Sequence, residues 1–436
     1  MVDTARIELW GTTIGAVTWV AERRIGVFQY NPDFLQSGIE VSPLVMPLRE
    51  APYEFPGLAW TTFKGLPGLL ADALPDKFGN AIIDEWLASE GRSRDDFHPV
   101  ERLCYIGTRG MGALEFQPSH RATPTASQDI DIERLVALSS RVLTERENLG
   151  GVFRGNENDR KVIENILRVG TSAGGARAKA ILAWNPVTGA FRSGQVEAAS
   201  GFEYWLMKFD GVSNNKDREL ADPKGFGKIE YAYYLMAGAA GIEMAPCRLH
   251  NEGGRSHFMT RRFDRTPTGT KIHMQSLGAL AHYDYNQAGS YSYEQALQAM
   301  KRLSLPRTEL EQQVLRTYFN IIARNQDDHV KNIAYLMNRR GDWSLSPAFD
   351  VSYAWTEDGA WTNQHQMSVN QKRDKFEPED LIAFAGKAGI KPAKANDLIS
   401  QVSQAVRNWQ TFANEAGVDP VVATAVASKH RLYLDQ

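Results

Sequence analysis

The sequence predicts an α+β chain in two lobes, a mixed-sheet lobe and a mostly helical lobe, with a small α/β subdomain ahead of them. Three observations predict it. Short β-type runs fill residues 7–30 and recur between 180 and 260, where one strong helical pattern, 229–239, interrupts them. Beyond Phe263 the apolar spacing is mostly helical. A length of 436 residues allows two or three domains, each with its own core.

The elements follow in order. Segments 7–10, 14–20 and 24–30 are β-type and broken by Gly11 and turn-like residues, which predicts a meandering sheet. Segments 69–87 and 100–105 have helical apolar spacing, and 113–116 returns as a strand. Residues 118–128 are rich in Pro, Ser and Thr and read as a linker. Helices at 130–143 and 162–167 lead into the glycine-rich stretch 170–179, followed by strands at 180–184, 204–209, 245–249 and 257–260. The domains expected are therefore 1–128, 129–262 and 263–436. In the last of these, Leu310, Val314, Leu315, Tyr318, Ile321 and Ile322 mark a buried helix. Segments 333–337 and 343–345 flank the turn 338–342 as a hairpin.

Composition excludes several classes. A net charge of -3 with no basic run gives no general reason to bind nucleic acid or an anionic membrane, so DNA would be reached only through a partner. Cys104 and Cys247 are too few for a disulfide framework and lack metal-ligand spacing, so both read as buried core thiols in a reducing cytosol. No apolar run approaches membrane-spanning length, and Met1 to Arg6 lacks the regions of a signal peptide. A cytoplasmic location is expected.

The chemistry concentrates in Asn325-Gln326-Asp327-Asp328-His329-Val330-Lys331-Asn332, followed after the hairpin by Pro347-Ala348-Phe349-Asp350. Alone, such an octet is usually a solvated turn or a helix cap. Here it ends a buried helix, and the hairpin behind it returns the chain to the same place. Phosphoryl transfer from Mg-ATP needs a carboxylate near the attacking hydroxyl, an amide oxygen and a second carboxylate for magnesium, and an ammonium against developing charge. Asp327, Asn332, Asp350 and Lys331 supply these groups. The step from Asp327 to Asn332 equals the Asp-to-Asn step of the protein-kinase catalytic loop, and Phe349-Asp350 stands where kinases carry the magnesium aspartate. No His-Arg precedes Asp327, and Val351 replaces the glycine that follows the metal aspartate.

Upstream, the interleaved glycines of 170–179 permit close approach of backbone amides to phosphate oxygens. The stretch matches neither a P-loop, since Ala176 occupies the lysine position, nor the kinase Gly-x-Gly-x-x-Gly pattern. Lys208, ending an apolar strand, is the candidate phosphate-contacting cation, with Glu230 as the helix carboxylate that holds it. Most lysines and glutamates are simply surface charges. Residues 258–265 are the candidate hinge between the lobes.

Together these residues resemble the HipA family of serine/threonine kinases, toxin components of bacterial type II toxin-antitoxin pairs. The resemblance rests on Ser172-Ala173-Gly174-Gly175-Ala176-Arg177-Ala178-Lys179 as the phosphate loop, Arg262-Phe263-Asp264-Arg265 at the hinge, Asp327-x-His329-x-Lys331-Asn332, and Ala348-Phe349-Asp350. The N-terminal segments 69–76 and 106–113 resemble the small domain that the family places ahead of its kinase lobes. The resemblance implies Asp327 as catalytic base with Lys331 and Asn332 beside it, and Asn332 and Asp350 as magnesium ligands. ATP contacts are implied at Ser172, Ala173, Gly174, Gly175, Lys179, Lys208, Glu230, Arg261, Phe263 and Asp264, with autophosphorylation at Ser172 and Thr171 as the adjacent rival. It further implies a small helix-turn-helix antitoxin partner and a protein substrate such as an aminoacyl-tRNA synthetase. Gly174, Arg177 and Arg261 depart from the family pattern. A stand-alone kinase without antitoxin, a nucleotidyltransferase, a small-molecule phosphotransferase and a degenerate kinase serving as a binding module are the other readings. The last ranks lowest, because the metal and base positions are all present.

Overall fold

The computed structural model describes residues 2–75, 79–80, 83–84, 87, 91–92, 97–119, 130–144, 177–195, 198–212 and 224–435. Ala5, Ile7 and Leu9 alternate along β1 (Thr4–Leu9) and point into one core. With β2 (Thr12–Val20), β3 (Ile25–Tyr30) and β4 (Leu114–Gln117) the strand forms an antiparallel sheet in the order β3-β2-β1-β4. The helix Pro99–Ile106 covers it through Val100, Leu103 and Ile106.

The single helix expected over 69–87 is broken. A short helix ends at Ala71, and its Leu69 and Leu70 belong to the N-terminal core, whereas Ile83 and Leu87 are buried in the next core. Pro75 lies between the two parts and cannot continue a helix.

The middle sheet holds β5 (Lys179–Trp184), β6 (Phe191–Ser193), β7 (Glu203–Lys208), β8 (Cys247–Glu252) and β9 (Arg255–Arg261), in the order β6-β5-β7-β9-β8. All its pairings are antiparallel. The helix Ile132–Thr144 adds Leu135 and Val136 to this core. Helix Phe226–Ala239 lies directly against β9, because a Cβ at Gly227 would collide with the Ser256 carbonyl. That close approach brings Glu230, one turn further on, under the end of β7.

The C-terminal lobe is built on helices Tyr293–Arg302, Arg307–Ile322, Pro378–Lys387, Pro392–Arg407, Trp409–Ala416 and Pro420–Ala427 around one apolar core. The expected hairpin forms, and it gains a partner that the sequence did not reveal. Strand β10 (His273–Ser276) joins β12 (Ala334–Met337) and β13 (Trp343–Leu345) in the order β10-β12-β13. A short parallel pair, β11 (Tyr291–Ser292) with β14 (Met367–Ser368), completes the strands among the described residues. Cys104 is buried in the N-terminal core and burial pushes its thiol up to about 11; Cys247 is only partly buried. No helix among the described residues is long and apolar enough to cross a membrane.

Candidate active site

The buried helix Arg307–Ile322 ends at Ala323, and the chain then turns through Arg324 in the left-handed region at φ 60°. This carries the polar octet across the cleft side of the lobe. A single 3-10 turn, Val330–Asn332, anchors its far end, with Val330 buried in the core. The Asn332 amide nitrogen donates to the Asp327 carbonyl at 2.8 Å, so the loop is cross-braced and the amide oxygen takes no part in that bond. The Asp327 carboxylate is partly exposed and accepts the Trp361 indole N–H at Oδ1, 2.7 Å, with His329 Nε2 at 3.8 Å from the same oxygen. Burial raises its pKa; His329 and the indole N–H oppose the shift, and the charge of Asp350 adds to it. Lys331 stands over the Tyr285 ring at 5.3 Å.

The hairpin returns the chain so that Asn332 and Asp350 line one recess together with His329, Asn325 and Phe349. Asp350 adopts φ 55°, a left-handed conformation that aspartate tolerates better than most residues and that concentrates at functional sites. The positive φ falls on Asp350 and not on residue 351, which is why Val351 fits where kinases carry glycine. Lys208 donates to Glu230 Oε1 at 2.6 Å and to Asp350 Oδ1. Burial pushes Asp350 up, but Lys208, Lys179 and Arg177 outweigh it and hold the carboxyl well below the usual carboxylate range. Burial likewise lowers Lys208, and Asp350 with Glu230 more than reverses it, so the ammonium is held charged.

Glu230 is buried, and Arg177 Nη1 lies 3.6 Å from its second oxygen while the Arg177 guanidinium covers the Phe226 ring at 3.8 Å. Lys179 faces Lys208 across the β5–β7 pairing. Phe263 packs on Phe349 with ring centroids 5.5 Å apart, linking the hinge to the metal loop. Arg261 is half-buried at the end of β9, 3.8 Å from Glu203.

Asp264 requires a correction. Its carboxylate is fully buried, is gripped by Arg262 at 2.8 and 2.6 Å and by Arg265 at 2.9 Å, and accepts the Gly112 N–H at 2.7 Å. Such a saturated carboxylate ties the hinge to the N-terminal subdomain and has no route to a nucleotide. Ser172, Ala173, Gly174 and Gly175, with Thr171, lie outside the described residues. Sequence reasoning also missed Trp361, His365 and Arg431, which contact Asp327, Asp328 and Gln326 of the octet.

The donor set suits a hard divalent cation. One carboxylate kept anionic and one amide oxygen, with open space beside them, match magnesium, which binds a few protein oxygens together with substrate phosphates and waters.

Residues 5–117 match the HipA N-terminal domain, and residues 171–409, more than half of the chain, match the HipA-like C-terminal domain. The chain belongs to the HipA family. A solved relative, HipA of Shewanella oneidensis MR-1 in a toxin-antitoxin complex with HipB and operator DNA, superposes with a TM-score of 0.66 at 17% identity, covering 99% of this chain and 96% of that one. The likeness shows an α+β HipA fold. The "putative kinase Y4mE" of Sinorhizobium fredii is 24% identical over 206 residues, a match that spans 44% of this chain and only 42% of that relative's length. A Helicobacter pylori proinflammatory kinase, CtkA, gives a TM-score of only 0.32 at 12% identity, covering 53% of this chain and 89% of that one.

Proposed function

We propose that this HipA-family chain is a Mg-ATP-dependent serine/threonine protein kinase that acts as a growth-inhibiting toxin. The observation that carries the reading is the meeting of Asn332 and Asp350 in one recess, with Asn332 braced to the Asp327 carbonyl and Lys208 bridging Asp350 and Glu230. Asp327 receives the proton of the attacking hydroxyl on Oδ2, since Oδ1 holds the indole N–H of Trp361. The hydroxyl oxygen bonds to the γ-phosphorus as the bond to the β–γ bridging oxygen breaks, and ADP leaves. Lys208, fixed by Glu230, binds phosphate oxygens, and Lys331 offsets charge near the transferred group. Asn332 and Asp350 would hold magnesium, which neutralises phosphate charge when bound. Residues 1–128 form the HipA-type subdomain in this reading, 129–262 the nucleotide lobe and 263–436 the catalytic lobe.

Autophosphorylation at Ser172 belongs to the same proposal. A dianion there would repel the ATP phosphates and compete for the amides of the glycine-rich stretch. After incubation with Mg-ATP, peptide mass spectrometry should find one phosphate at Ser172, and the modified protein should no longer bind ATP. A phosphate at Thr171, or an active enzyme with an unmodified 170–179 segment, contradicts it.

The relative solved with HipB and operator DNA supports an antitoxin partner, which in this reading is a small helix-turn-helix protein sharing the cytoplasm with this chain. The net charge of -3 leaves most of the DNA affinity to that partner. Operator binding by the purified chain should therefore be far weaker than by the complex in a salt titration. Equal affinity refutes this division. A protein substrate is expected, with an aminoacyl-tRNA synthetase as the first to test by phosphopeptide mapping.

A further inference from the structure

Asp328, the residue beside the proposed base, is buried at the wall of the recess and plays no part in the chemistry above. Its Oδ2 accepts the Tyr293 hydroxyl at 2.7 Å and meets His365 Nδ1 at 2.7 Å, and its Oδ1 accepts the Gln366 N–H at 2.8 Å. On the other side of the imidazole, Arg431 Nη1 lies 2.8 Å from Nε2. A guanidinium can only donate, so Nε2 accepts, the ring is neutral, and its proton sits on Nδ1, where it is donated to Asp328. Burial also favours the neutral ring, against the pull of Asp328.

Arg431 is itself 1% exposed and bound on every side. Nη1 also donates to the Ile321 carbonyl at 2.8 Å, Nη2 donates to Gln326 Oε1 at 3.0 Å and to Asp374, and its backbone N–H donates to the Ile322 carbonyl at 2.8 Å. The same stretch of chain also grips the octet's leading edge, where Arg324 Nε donates to the Lys429 carbonyl at 2.9 Å. Residues 429–431 thus hold both the end of the core helix and, through one neutral imidazole, the carboxylate adjoining Asp327.

We propose that Arg431 is a positioning residue for the loop 325–332, acting through His365 on Asp328 and so setting where Asp327 stands. Its effect on rate rests on the kinase reading; its effect on the loop does not. A planar five-donor fork serves the imidazole, two backbone and side-chain acceptors and a carboxylate at once, which an ammonium cannot do.

The test compares wild type, Arg431→Lys and His365→Gln. For Arg431→Lys, calorimetry should show Mg-ATP affinity within about threefold of wild type, while kcat at saturating Mg-ATP falls by about 10–100-fold, as displacement of a supporting shell does. Hydrogen exchange in a peptide covering 325–332 should accelerate, with the β1–β4 sheet unchanged. In an Asp328→Asn background the lysine substitution should add much less than its full effect, since only its direct bonds to Gln326 and Ile321 remain to be lost. Should Arg431→Lys fail to fold, His365→Gln, which leaves the other Arg431 bonds in place, carries the same expectations. A folded variant with unchanged exchange across 325–332, or effects that add fully to those of Asp328→Asn, overturns the proposal. If wild type transfers no phosphate, the functional reading falls, and hydrogen exchange alone still decides this one.

Discussion

Replacing Asp327 with asparagine is expected to lower phosphoryl transfer by about 10²- to 10⁴-fold, the usual contribution of a positioned general base. The fold should survive, because the Asn332 bond to Asp327 uses the backbone carbonyl and an asparagine amide can still meet the indole N–H of Trp361. Mg-ATP affinity should be nearly unchanged. In cells, growth arrest on expression should disappear with the activity. The pH profile carries a further signature. Burial raises the pKa of Asp327, and a base works in its unprotonated form, so kcat/KM should fall with decreasing pH through a midpoint above the ordinary aspartate value of about 4. A variant that keeps the wild-type rate removes Asp327 from the mechanism.

Asp350→Ala is expected to abolish the magnesium-dependent part of nucleotide binding, raising Kd at least about tenfold, or 1.4 kcal/mol. Two losses combine. The alanine removes the carboxylate that Lys208, Lys179 and Arg177 keep anionic, and it leaves Lys208 with Glu230 as its carboxylate partner in the cleft. Calorimetry with and without magnesium separates these effects. An unchanged Kd in magnesium would remove Asp350 from the metal site.

The parts of the site that the sequence exposed are those whose geometry is local. Asp327 and Asn332 lie in one loop, and the turn 338–342 that returns the chain to Asp350 is read directly from Asn338, whose side-chain oxygen accepts the N–H groups of Arg340 and Asp342. Runs of β-type residues likewise revealed β1 to β3 and β5. What stayed hidden depends on long-range pairing. Trp361 reaches Asp327 across 34 residues and Arg431 reaches His365 across 66, and no spacing rule links such positions. Strand β10 has no signal of its own apart from its partner β12. Asp264 shows the opposite failure. The Arg-Phe-Asp-Arg run reads equally as a nucleotide-facing hinge or as an internal ion-pair centre, and only the enclosure of its carboxylate by Arg262, Arg265 and the Gly112 N–H decides between them. Pro75 interrupts the helical spacing of 69–87, and its missing N–H outweighs that spacing.

The central claim is that this recess moves the γ-phosphoryl group of Mg-ATP to a protein hydroxyl, and the most direct measurement is the product of that reaction. The purified chain, incubated with ATP and magnesium, should yield ADP and protein heavier by the mass of a phosphate, and Asp327→Asn should yield neither. AMP attached to the protein would make the chain a nucleotidyltransferase, and no modified protein with any hydroxyl-bearing substrate would contradict the account altogether.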